Sequence, residues 1–547
     1  MDAIFGNEHA DMAESTLSTA PTVEVPAELN VAAHYVDGAV ADGHGERIAL
    51  IHEDVTVTFA QLQAQINRVG NALARLGIEM EHRVVILLPN VPEFVMSFFG
   101  AIKLGAIPAA MSFAVTPDEH ALLLSDSRAR ALITTNALWE PLRSRRSEFP
   151  FLRHVIIVGP GARDGEHDFA VLLSHASTSL QPAPTSADEA AFWLHTSGST
   201  GMPKWAVHLH RNMLYSERLY GAPYVQLRPG EAIVCGSPCF HAYPLAFTTY
   251  FALKAGATVV LNSERSTPAR MFYLIRKHRA AVFVGVPTLY AQMLQAATRE
   301  NADLTSVRAC FAAAEPLPAD LYSRWRDRFG VDILDGIGTT EALHIFISNG
   351  AGGICPGSSG RAVPGYRIRL VDDNGTDVPQ GEVGDLLVSG GSLFTGYWRR
   401  QDITKQVLRG EWYLTGDKYR QDADGYYWYM GRADDLLRVS GHWVSPAEVE
   451  GALISHAAVL EAAVVGKEDG DQLVKPKAFV VLRDAETPTE GLADALKAHV
   501  KATISPFKYP RWIEFCDSLP KTATGKIQRF KLRQREAEKT TKAKDAA

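Results

Sequence analysis

Short apolar, β-rich runs alternate with helical stretches along the first 350 residues of the chain. VTVTF is followed by the amphipathic stretch AQLQAQINRVGNALARLG, and RVVILLPN is followed by EFVMSFFGAIKLG. Runs of this kind, separated by helices and turn signals, are typical of buried strands in mainly parallel sheets. The sequence therefore predicts an α/β fold with two layered sheet units before residue 350.

The pattern changes twice in the rest of the chain. Between residues 357 and 430, alternating strands are joined by NG and DG turns, which indicates a small β-barrel of antiparallel strands. A compact α+β pattern follows, long enough to fold by itself. We expect a disordered leader over residues 1–28, a large N-terminal domain over 29–434 and a small C-terminal domain over 435–547.

Composition excludes several classes of protein. The 547 residues include 55 Lys and Arg against 62 Asp and Glu, a net charge of −7, which argues against nucleic-acid binding. No run of apolar residues approaches the ~18 that a membrane span needs, and the first residues lack the pattern of a signal peptide. The five cysteines lack paired spacing. We expect a cytoplasmic protein with reduced thiols that binds neither nucleic acid nor membrane.

Glycines and hydroxyl side chains alternate in HTSGSTGMPK, His195–Lys204, directly after the apolar run AAFWL. Glycine lets the backbone approach an anion closely, while backbone N–H groups, hydroxyls and Lys204 supply donors to phosphate oxygens. The GxxxxGK[ST] spacing of a Walker loop is absent. The segment predicts a phosphate-binding loop, although taken alone it fits a Gly/Ser linker equally well.

Four further motifs carry groups suited to a nucleotide and its metal. DGIGTTE ends in Glu341, whose carboxylate can hold a hard divalent cation. YLTGD ends in Asp417, which suits a ribose diol, and GRADD supplies Arg432, which can bond the same sugar. PKTATGKIQR presents Lys526 as a mobile point charge.

In this order and at these separations, the five motifs resemble those of the adenylate-forming superfamily of acyl-CoA synthetases, luciferases and peptide-synthetase adenylation domains. The resemblance covers roughly residues 30–530. It implies a reaction in two halves, in which a carboxylate attacks the α-phosphate of ATP and the acyl adenylate then meets a nucleophile. Because a carboxylate is a poor electrophile, conversion to a mixed anhydride supplies AMP as a good leaving group.

The resemblance also implies a role for each motif residue. Thr340 contacts the α-phosphate, Glu341 helps to bind Mg²⁺, and Lys526 bridges the incoming carboxylate and the α-phosphate, because one ammonium aimed at two anions offsets their repulsion. The β- and γ-phosphates and the ribose are held by the remaining nucleotide-binding residues, which are Thr196, Ser197, Gly198, Ser199, Thr200, Gly201, Lys204, Asp417 and Arg432.

Members of the family rotate the small domain between the two half-reactions. The hinge corresponds to Asp434, and the rotation withdraws Lys526 and opens a tunnel for the pantetheine of CoA. The resemblance therefore predicts ATP, Mg²⁺ and CoA as cofactors and a mobile C-terminal domain. An exposed loop acid without a role is the alternative for Asp434.

Three segments, DGIGTTEALHIFISN, CFHAYPLAF and KPKAFVVL, resemble benzoate-CoA ligases and related aryl-CoA ligases more closely. Ile337 stands where most members of the superfamily carry tyrosine. The implied acyl pocket is a flat apolar slot suited to an aromatic ring, lined by Ala242, Tyr243, Phe251, His344 and Ile345. Each aromatic residue of this set fits a plain core position equally well, and His344 fits a structural histidine.

The sequence thus predicts an ATP-dependent aryl carboxylate-CoA ligase for benzoate or a similar small aromatic or heteroaromatic acid such as furoate. It does not distinguish ring substituents, since one methylene in an apolar pocket contributes only ~1 to 3 kcal/mol. Two alternatives stay open: an adenylating enzyme that uses a separate carrier protein or oxidises its product, and a non-catalytic acyl or nucleotide sensor. A homodimer is possible by resemblance.

Two positions depart from the family pattern. Trp205 replaces the usual glycine after Lys204, and Ala314 replaces glycine in FAAAEPLP, which adds a methyl group near the nucleotide or acyl site. His208 and His210 form an HxH pair. Since no third ligand stands at suitable spacing, a structural pair is favoured over a metal site.

Overall fold

The computed structural model describes residues 21–197, 203–297, 300, 302–350, 353–432, 435, 437–439, 442–469, 473–483, 487–521 and 527–545. Up to residue 197 the elements are β1 (Ile48–His52), β2 (Val55–Thr58), α1 (Phe59–Arg75), β3 (Arg83–Leu87), α2 (Pro92–Leu104), β4 (Ile107–Ala110), α3 (Pro117–Ser127), β5 (Ala131–Thr135), α4 (Asn136–Arg143), β6 (His154–Val158), β7 (His167–Asp168), α5 (Phe169–Ser174) and β8 (Ala190–Ser197).

Strands and helices continue to alternate as far as residue 348. They are β9 (Pro203–Leu209), α6 (His210–Ser216), β10 (Ala232–Cys235), α7 (Ala242–Thr248), α8 (Tyr250–Ala255), β11 (Thr258–Leu261), α9 (Pro268–His278), β12 (Val282–Gly285), α10 (Pro287–Ala296), β13 (Ala309–Ala312), α11 (Ala319–Phe329), β14 (Ile333–Gly338) and β15 (Ile345–Ser348). Short π-helical or 3₁₀ turns lie at Ala33–Asp37, Val40–His44, Arg146–Glu148, Glu217–Val225 and Pro506–Lys508.

The remaining elements divide into two groups. The first comprises β16 (Arg361–Ala362), β17 (Arg367–Val371), β18 (Val383–Ser389), β19 (Gly396–Tyr397), α12 (Gln401–Val407), β20 (Leu408–Arg409), β21 (Trp412–Gln421) and β22 (Tyr427–Arg432). The second comprises β23 (Leu437–Val439), β24 (His442–Val444), α13 (Pro446–Ile454), β25 (Val459–Glu468), β26 (Val474–Leu482), α14 (Glu490–Thr503), β27 (Trp512–Phe515) and α15 (Arg529–Asp545).

Two large, mainly parallel sheets form the greater part of the fold, as the alternating pattern predicts. Within the described ranges their strand orders are β19-β9-β8-β4-β3-β5-β6-β7 and β16-β15-β14-β13-β12-β10-β11-β1-β2. The first sheet becomes antiparallel near one edge, at β8–β9–β19, and the second near both edges, at β14–β15–β16 and at β1–β2. The HTSGSTGMPK motif lies at β8–β9 and the DGIGTTE motif at β14, so these changes of strand direction position the site.

Local sequence signals explain where the helices begin and end. At the start of α1, Thr58 accepts a hydrogen bond from the backbone of Gln61, whose side chain accepts one in return from the backbone of Thr58. Helix α2 begins at Pro92, where the missing N–H is not needed, and stops at Gly105 with φ of 84°. Apolar faces of these helices pack on the sheets.

The strands expected between residues 357 and 430 are antiparallel. They form a five-stranded sheet in the order β17-β18-β21-β20, with β22 paired to β21. The antiparallel strands are present, and their closure into a barrel stays a prediction. Helix α12 is an insertion that the turn pattern did not predict. A hydrophobic cluster composed of residues from Leu437 onward, including Val464 and Val480, lies beyond this sheet. Residues 433 and 434 lie outside the described residues, so the boundary at residue 434 stays a prediction.

Residues 1–20 of the predicted leader lie outside the described residues. Its last two residues are paired with the fold: Ala27 accepts a hydrogen bond from the backbone of Ala187, and Glu28 forms an isolated bridge with Ser186. Among the described helices, none combines the length and the apolar character that crossing a bilayer requires.

Candidate active site

The predicted phosphate loop connects two antiparallel strands. Thr196 at the end of β8 pairs with Lys204 at the start of β9. Ser197 is described by its backbone only, and Gly198, Ser199, Thr200 and Gly201 lie outside the described residues. The hairpin therefore holds both ends of the predicted loop at one point on the sheet edge.

Lys204 is buried, with only 9% of its surface exposed. Its Nζ lies 4.3 Å from the centre of the Tyr397 ring, within the range of a cation–π contact. Burial lowers the pKa of Lys204 from its usual value, and the nearby carboxylate of Glu341 opposes this shift. The ammonium is thus held in the interior, where phosphate oxygens would meet it with little competition from water.

Glu341 follows β14 and is buried beside two tyrosines. The hydroxyl of Tyr397 donates to Oε1 of Glu341 at 2.6 Å, and Tyr413 is a second hydrogen-bond partner. Burial raises the pKa of both tyrosines, and the charge of Glu341 raises it further, so both hydroxyls stay protonated and donate. The DGIGTTE motif predicts Glu341 as a functional residue, whereas neither tyrosine was predicted as its partner.

Thr340 is fixed through its backbone. Nε2 of His208 donates to the carbonyl oxygen of Thr340 at 2.8 Å, which ties the DGIGTTE segment to β9. Nδ1 of His210 accepts from the backbone of Val31 at 3.3 Å. Both members of the HxH pair therefore have structural partners.

Asp417 and Arg432 face each other across β21 and β22. Nη1 of Arg432 lies 3.1 Å from Oδ1 of Asp417 and also donates to the carbonyl of Thr415. Gly416, with φ of 77°, leaves room for this arrangement, since a Cβ there would lie 2.9 Å from the guanidinium. The predicted ribose pair is thus a pair in space.

The nucleotide-binding motifs converge on one place. The charges of Glu341 and Arg432 both shift the pKa of Lys204. The charges of Glu341 and Asp417 both shift the pKa of Tyr413. Lys526 and Asp434 lie outside the described residues. Four of the five motifs therefore meet in the described structure, and the fifth is represented by its flanks, where Lys521 bridges to Ile527.

Carboxylate chemistry at Glu341 fits Mg²⁺, which prefers oxygen ligands. In the part of the chain that the structure describes, no three His, Cys, Asp or Glu side chains are grouped as a metal cage. A single buried carboxylate suits an ion that takes its remaining ligands from phosphates and water, as Mg²⁺ does with nucleotides.

Aromatic side chains surround His344 next to this site. We call Tyr220, Tyr243, Phe247, Phe251 and His344 the aromatic cluster; the ring centres of the first four lie 4.9, 5.8, 5.4 and 4.9 Å from that of His344. The structure thus brings the predicted residues Tyr243, Phe251 and His344 together. Tyr220 and Phe247 were not predicted, because their sequence context is that of ordinary core aromatic residues.

The aromatic cluster is uncharged. Burial lowers the pKa of His344 to about 3 and raises that of Tyr243, so both side chains are neutral near pH 7. Ala242 and Ile345 are buried and adjoin Tyr243 and His344 in the chain. The aromatic cluster is therefore an apolar surface that suits a ring without charge.

Both departures from the family pattern have structural counterparts. Trp205 is fully buried, and its indole N–H donates to the carbonyl of Leu123 at 3.3 Å, so the residue anchors the start of β9 to α3. Ala314 is exposed and has φ of 75°, in the left-handed region that favours glycine.

Comparison with known proteins gives the family. The sequence model of the AMP-binding enzymes matches residues 39–398, and that of the AMP-binding enzyme C-terminal domain matches residues 448–526. The chain belongs to the AMP-binding enzyme family. The resemblance to adenylate-forming enzymes inferred from the five motifs is thereby confirmed.

Similar proteins match along most of their length. Benzoate-CoA ligase of Thauera aromatica is 45% identical over 94% of this chain and 98% of its own. The 4-hydroxybenzoate-CoA/benzoate-CoA ligase of Rhodopseudomonas palustris is 42% identical over 93% and 94%. Among solved structures, the anthranilate CoA ligase AuaEII in complex with anthranoyl-AMP has a TM-score of 0.91 at 38% identity, covering 94% of this chain and 99% of that one.

A benzoate CoA ligase from Burkholderia xenovorans LB400 has a TM-score of 0.84 at 40% identity, covering 92% of this chain and 100% of that one. The agreement extends over both matched regions of the chain. The predicted fold class, with large αβ sheets followed by a small α+β part, is confirmed.

Buried neutral histidines predict an acid-sensitive fold. Burial lowers the pKa of His195 and His208 to about 4 and that of His344 to about 3, whereas the unfolded chain binds these protons near pH 6.5. The unfolded state therefore holds more protons between pH 6.5 and 4, and stability falls as the pH is lowered through this window. Burial also lowers the pKa of His34 and His210 to about 4 and that of His241 to about 3. Each of these six groups contributes at most about 1.4 kcal/mol per pH unit near pH 5, so we expect stability to fall by roughly several kcal/mol per pH unit.

Urea unfolding at pH 7, 6 and 5 measures this dependence. The variant His208→Gln removes one titrating ring and is expected to reduce the slope by about 1.4 kcal/mol per pH unit. An unfolding free energy that stays constant from pH 6.5 to 5 would contradict the prediction.

Proposed function

We propose that this protein is an ATP- and Mg²⁺-dependent aryl-CoA ligase that acts on benzoate or a closely similar small aromatic acid. One observation carries the proposal: the cationic and anionic groups of four motifs converge beside an uncharged aromatic cluster. A nucleotide and an aromatic acid would then lie next to each other, with the acid's carboxylate facing the phosphates.

The proposed reaction has two steps, adenylation of the acid and transfer of the acyl group to CoA. A carboxylate oxygen attacks the α-phosphorus of ATP, the bond to the bridging oxygen of pyrophosphate breaks, and the acyl adenylate forms. The thiol of CoA loses its proton to water, its sulfur attacks the acyl carbon, and AMP leaves with the electrons of the broken C–O bond. Bound Mg²⁺ supplies charge neutralisation at the phosphates.

The chain's own residues bind and orient the reactants. Lys204 and the backbone around Thr196 hold the terminal phosphates, Thr340 contacts the α-phosphate and Glu341 holds the metal. Asp417 and Arg432 fix the ribose. Groups placed before the reaction starts stabilise developing charge without reorganising.

The C-terminal region supplies the remaining groups. Lys526 approaches the α-phosphate in the first half-reaction and withdraws in the second, by rotation of residues 435–547 about Asp434. Withdrawal gives CoA access, so one site serves two reactions in turn.

The aromatic cluster supports an aryl acid as the substrate. Neutral His344 and Tyr243 offer no positive charge to a second carboxylate on the ring, which disfavours dicarboxylic acids. The rings of the cluster pack on one another at about 5 Å, and an aromatic substrate would extend this packing by offset or edge contacts. A cytoplasmic location, expected from the cysteine pattern, and a homodimeric assembly, expected by resemblance, belong to the same proposal.

A panel of acids tests the substrate. Benzoate, 2-furoate, 4-hydroxybenzoate, cyclohexanecarboxylate and acetate are compared by pyrophosphate release with and without CoA. We expect kcat/KM for benzoate to exceed that for acetate by about a hundredfold, because replacing the ring by a methyl group removes roughly 3 kcal/mol of apolar burial.

Sustained release with benzoate is expected only when CoA is present, with benzoyl-CoA identified by mass. If no aryl acid turns over, the substrate assignment is wrong. Adenylate that persists in the presence of CoA favours a carrier protein as acceptor, and no pyrophosphate with any acid favours the sensor.

A further inference from the structure

Tyr397 contacts the two charged residues of the site at the same time. Its hydroxyl donates to Oε1 of Glu341 at 2.6 Å, and the face of its ring lies 4.3 Å from the ammonium of Lys204. Tyr397 itself is buried, with 7% of its surface exposed. One side chain thus lies between a carboxylate and an ammonium that come from different sheets.

The position of Tyr397 is determined by its surroundings. Strand β19 pairs with β9, opposite Ala206, and the backbone N–H of Tyr397 donates to Oγ1 of Thr404 at 2.9 Å. Phe394 packs edge-on against the ring at 4.8 Å. A side chain held on this many sides can impose its geometry on its neighbours.

Lys204 and Glu341 do not pair directly. Both residues are described, and no ion pair within 4.0 Å joins them. A buried ammonium and a buried carboxylate this close would ordinarily gain from direct contact. Tyr397 contacts the ammonium with its ring face and the carboxylate with its hydroxyl, so each charge has a partner other than its opposite.

We propose that Tyr397 is a positioning residue that keeps Glu341 available to the metal and Lys204 available to phosphate by preventing the two from neutralising each other. This inference rests on the proposed function, since it needs Glu341 and Lys204 to bind Mg²⁺ and phosphate. The hydroxyl occupies one carboxylate oxygen and leaves lone pairs for the ion. Hydrogen bonds to a ligating carboxylate typically change metal affinity 10- to 100-fold.

Two substitutions at this position separate the hydroxyl from the ring. Tyr397→Phe keeps the ring over Lys204 and removes the donor to Glu341. Tyr397→Leu removes both, so Lys204 can collapse onto Glu341. The matched control is Tyr290→Phe, which deletes another buried hydroxyl; Tyr290 lies in a separate hydrophobic cluster, and its hydroxyl donates to the carbonyl of Phe311 at 2.8 Å.

Calorimetric titration of the full chain measures binding of ATP with Mg²⁺ and of ATP with a chelator. For Tyr397→Phe we expect affinity for MgATP to fall about 10- to 100-fold and affinity for metal-free ATP to stay within about threefold. For Tyr397→Leu we expect both affinities to fall. The control Tyr290→Phe should change neither, and thermal unfolding checks that each variant is folded.

Several outcomes overturn the inference. If Tyr397→Phe loses ATP affinity equally with and without Mg²⁺, or loses none, the hydroxyl does not have the proposed role. If Tyr397→Leu binds metal-free ATP as tightly as the wild-type chain does, the ring does not have the proposed role. Glu341→Gln separates the two proposals. If Glu341→Gln keeps the full advantage of MgATP over ATP, Glu341 does not hold the metal and the proposed function loses that step. If Glu341→Gln loses the advantage of MgATP over ATP but Tyr397→Phe retains it, the inference about Tyr397 is wrong and the role of Glu341 stands.

Discussion

Replacing Lys526 by alanine is expected to lower the rate of acyl adenylate formation by about a hundredfold to a thousandfold, as removal of a single preorganised charge donor typically does. In this step two anions, the substrate carboxylate and the α-phosphate, must approach each other. One ammonium between them offsets their repulsion. Thioester formation from supplied benzoyl adenylate involves no such approach, so it should suffer far less.

The two half-reactions are measured separately on the same preparation. Benzoate-dependent exchange of pyrophosphate into ATP reports adenylation, and release of AMP from benzoyl adenylate and CoA reports the second half. The matched control is Lys531→Ala, an exposed lysine on α15 only five residues further along the chain. Equal losses in both halves for Lys526→Ala would show that the lysine does not serve adenylation alone.

Contacts around the C-terminal motif explain how one residue could be delivered and withdrawn. Arg529 is half-buried and donates to both carboxylate oxygens of Glu450, at 3.1 and 2.6 Å. Its guanidinium also lies 3.9 Å from Asp435, which in turn pairs with Arg533. Residue 435 follows the proposed hinge directly, and Arg529 is three positions from Lys526. Motion at the hinge would therefore carry the lysine with it.

The proposed nucleotide-binding residues could be picked out of the sequence because chemistry restricts such groups to short motifs. Glu341, Asp417 and Arg432 each stand in a motif whose residue types match a metal or a sugar, and the structure brings them together. Their supporting residues could not be predicted in the same way. Tyr397 is 56 positions from Glu341 and occurs in a run, FTGYW, that is typical of any buried strand.

His208 shows the same limit. Its contact with the Thr340 carbonyl spans 132 positions, and an HxH pair in a strand gives no sign of such a partner. Periodicity identifies a buried side chain but not what it will contact, because that depends on strand order. The order of the two large sheets follows from tertiary packing of crossovers, which local sequence does not encode.

Strand direction was the least predictable part of the fold that matters for the site. Alternation of strands and helices indicated parallel sheets, and most pairs are parallel. The antiparallel pair β8–β9 surrounds a glycine-rich phosphate motif rather than a two-residue NG or DG turn, so the usual hairpin signal is missing. The motif proposed to bind phosphate stands where the turn residues of an ordinary hairpin would be, so the sequence does not reveal the hairpin.

Asp417→Asn is expected to weaken binding of ATP by about a hundredfold. The carboxylate of Asp417 is buried and would accept hydrogen bonds from both ribose hydroxyls, and a hydrogen bond to a charged group contributes about 1.5 to 3 kcal/mol. Asparagine keeps the shape but loses the charge and one acceptor. Arg432 loses its ionic partner at the same time, although its side chain is 30% exposed and water can replace part of that interaction.

Deoxynucleotides make this prediction specific to the ribose. The wild-type chain should bind 2′-deoxy-ATP and 3′-deoxy-ATP more weakly than ATP, whereas Asp417→Asn should discriminate much less, because the acceptor for both hydroxyls has been weakened. The control is Asp385→Asn on the neighbouring strand β18, whose carboxylate pairs with Lys418 at 3.0 Å. Since successive side chains of a strand point to opposite faces, Lys418 and Asp417 lie on different sides of β21, and Asp385→Asn should leave nucleotide discrimination unchanged. If Asp417→Asn still prefers ATP over both deoxynucleotides as strongly as the wild-type chain does, the ribose is held elsewhere, and the four motifs would have to be arranged around the nucleotide differently.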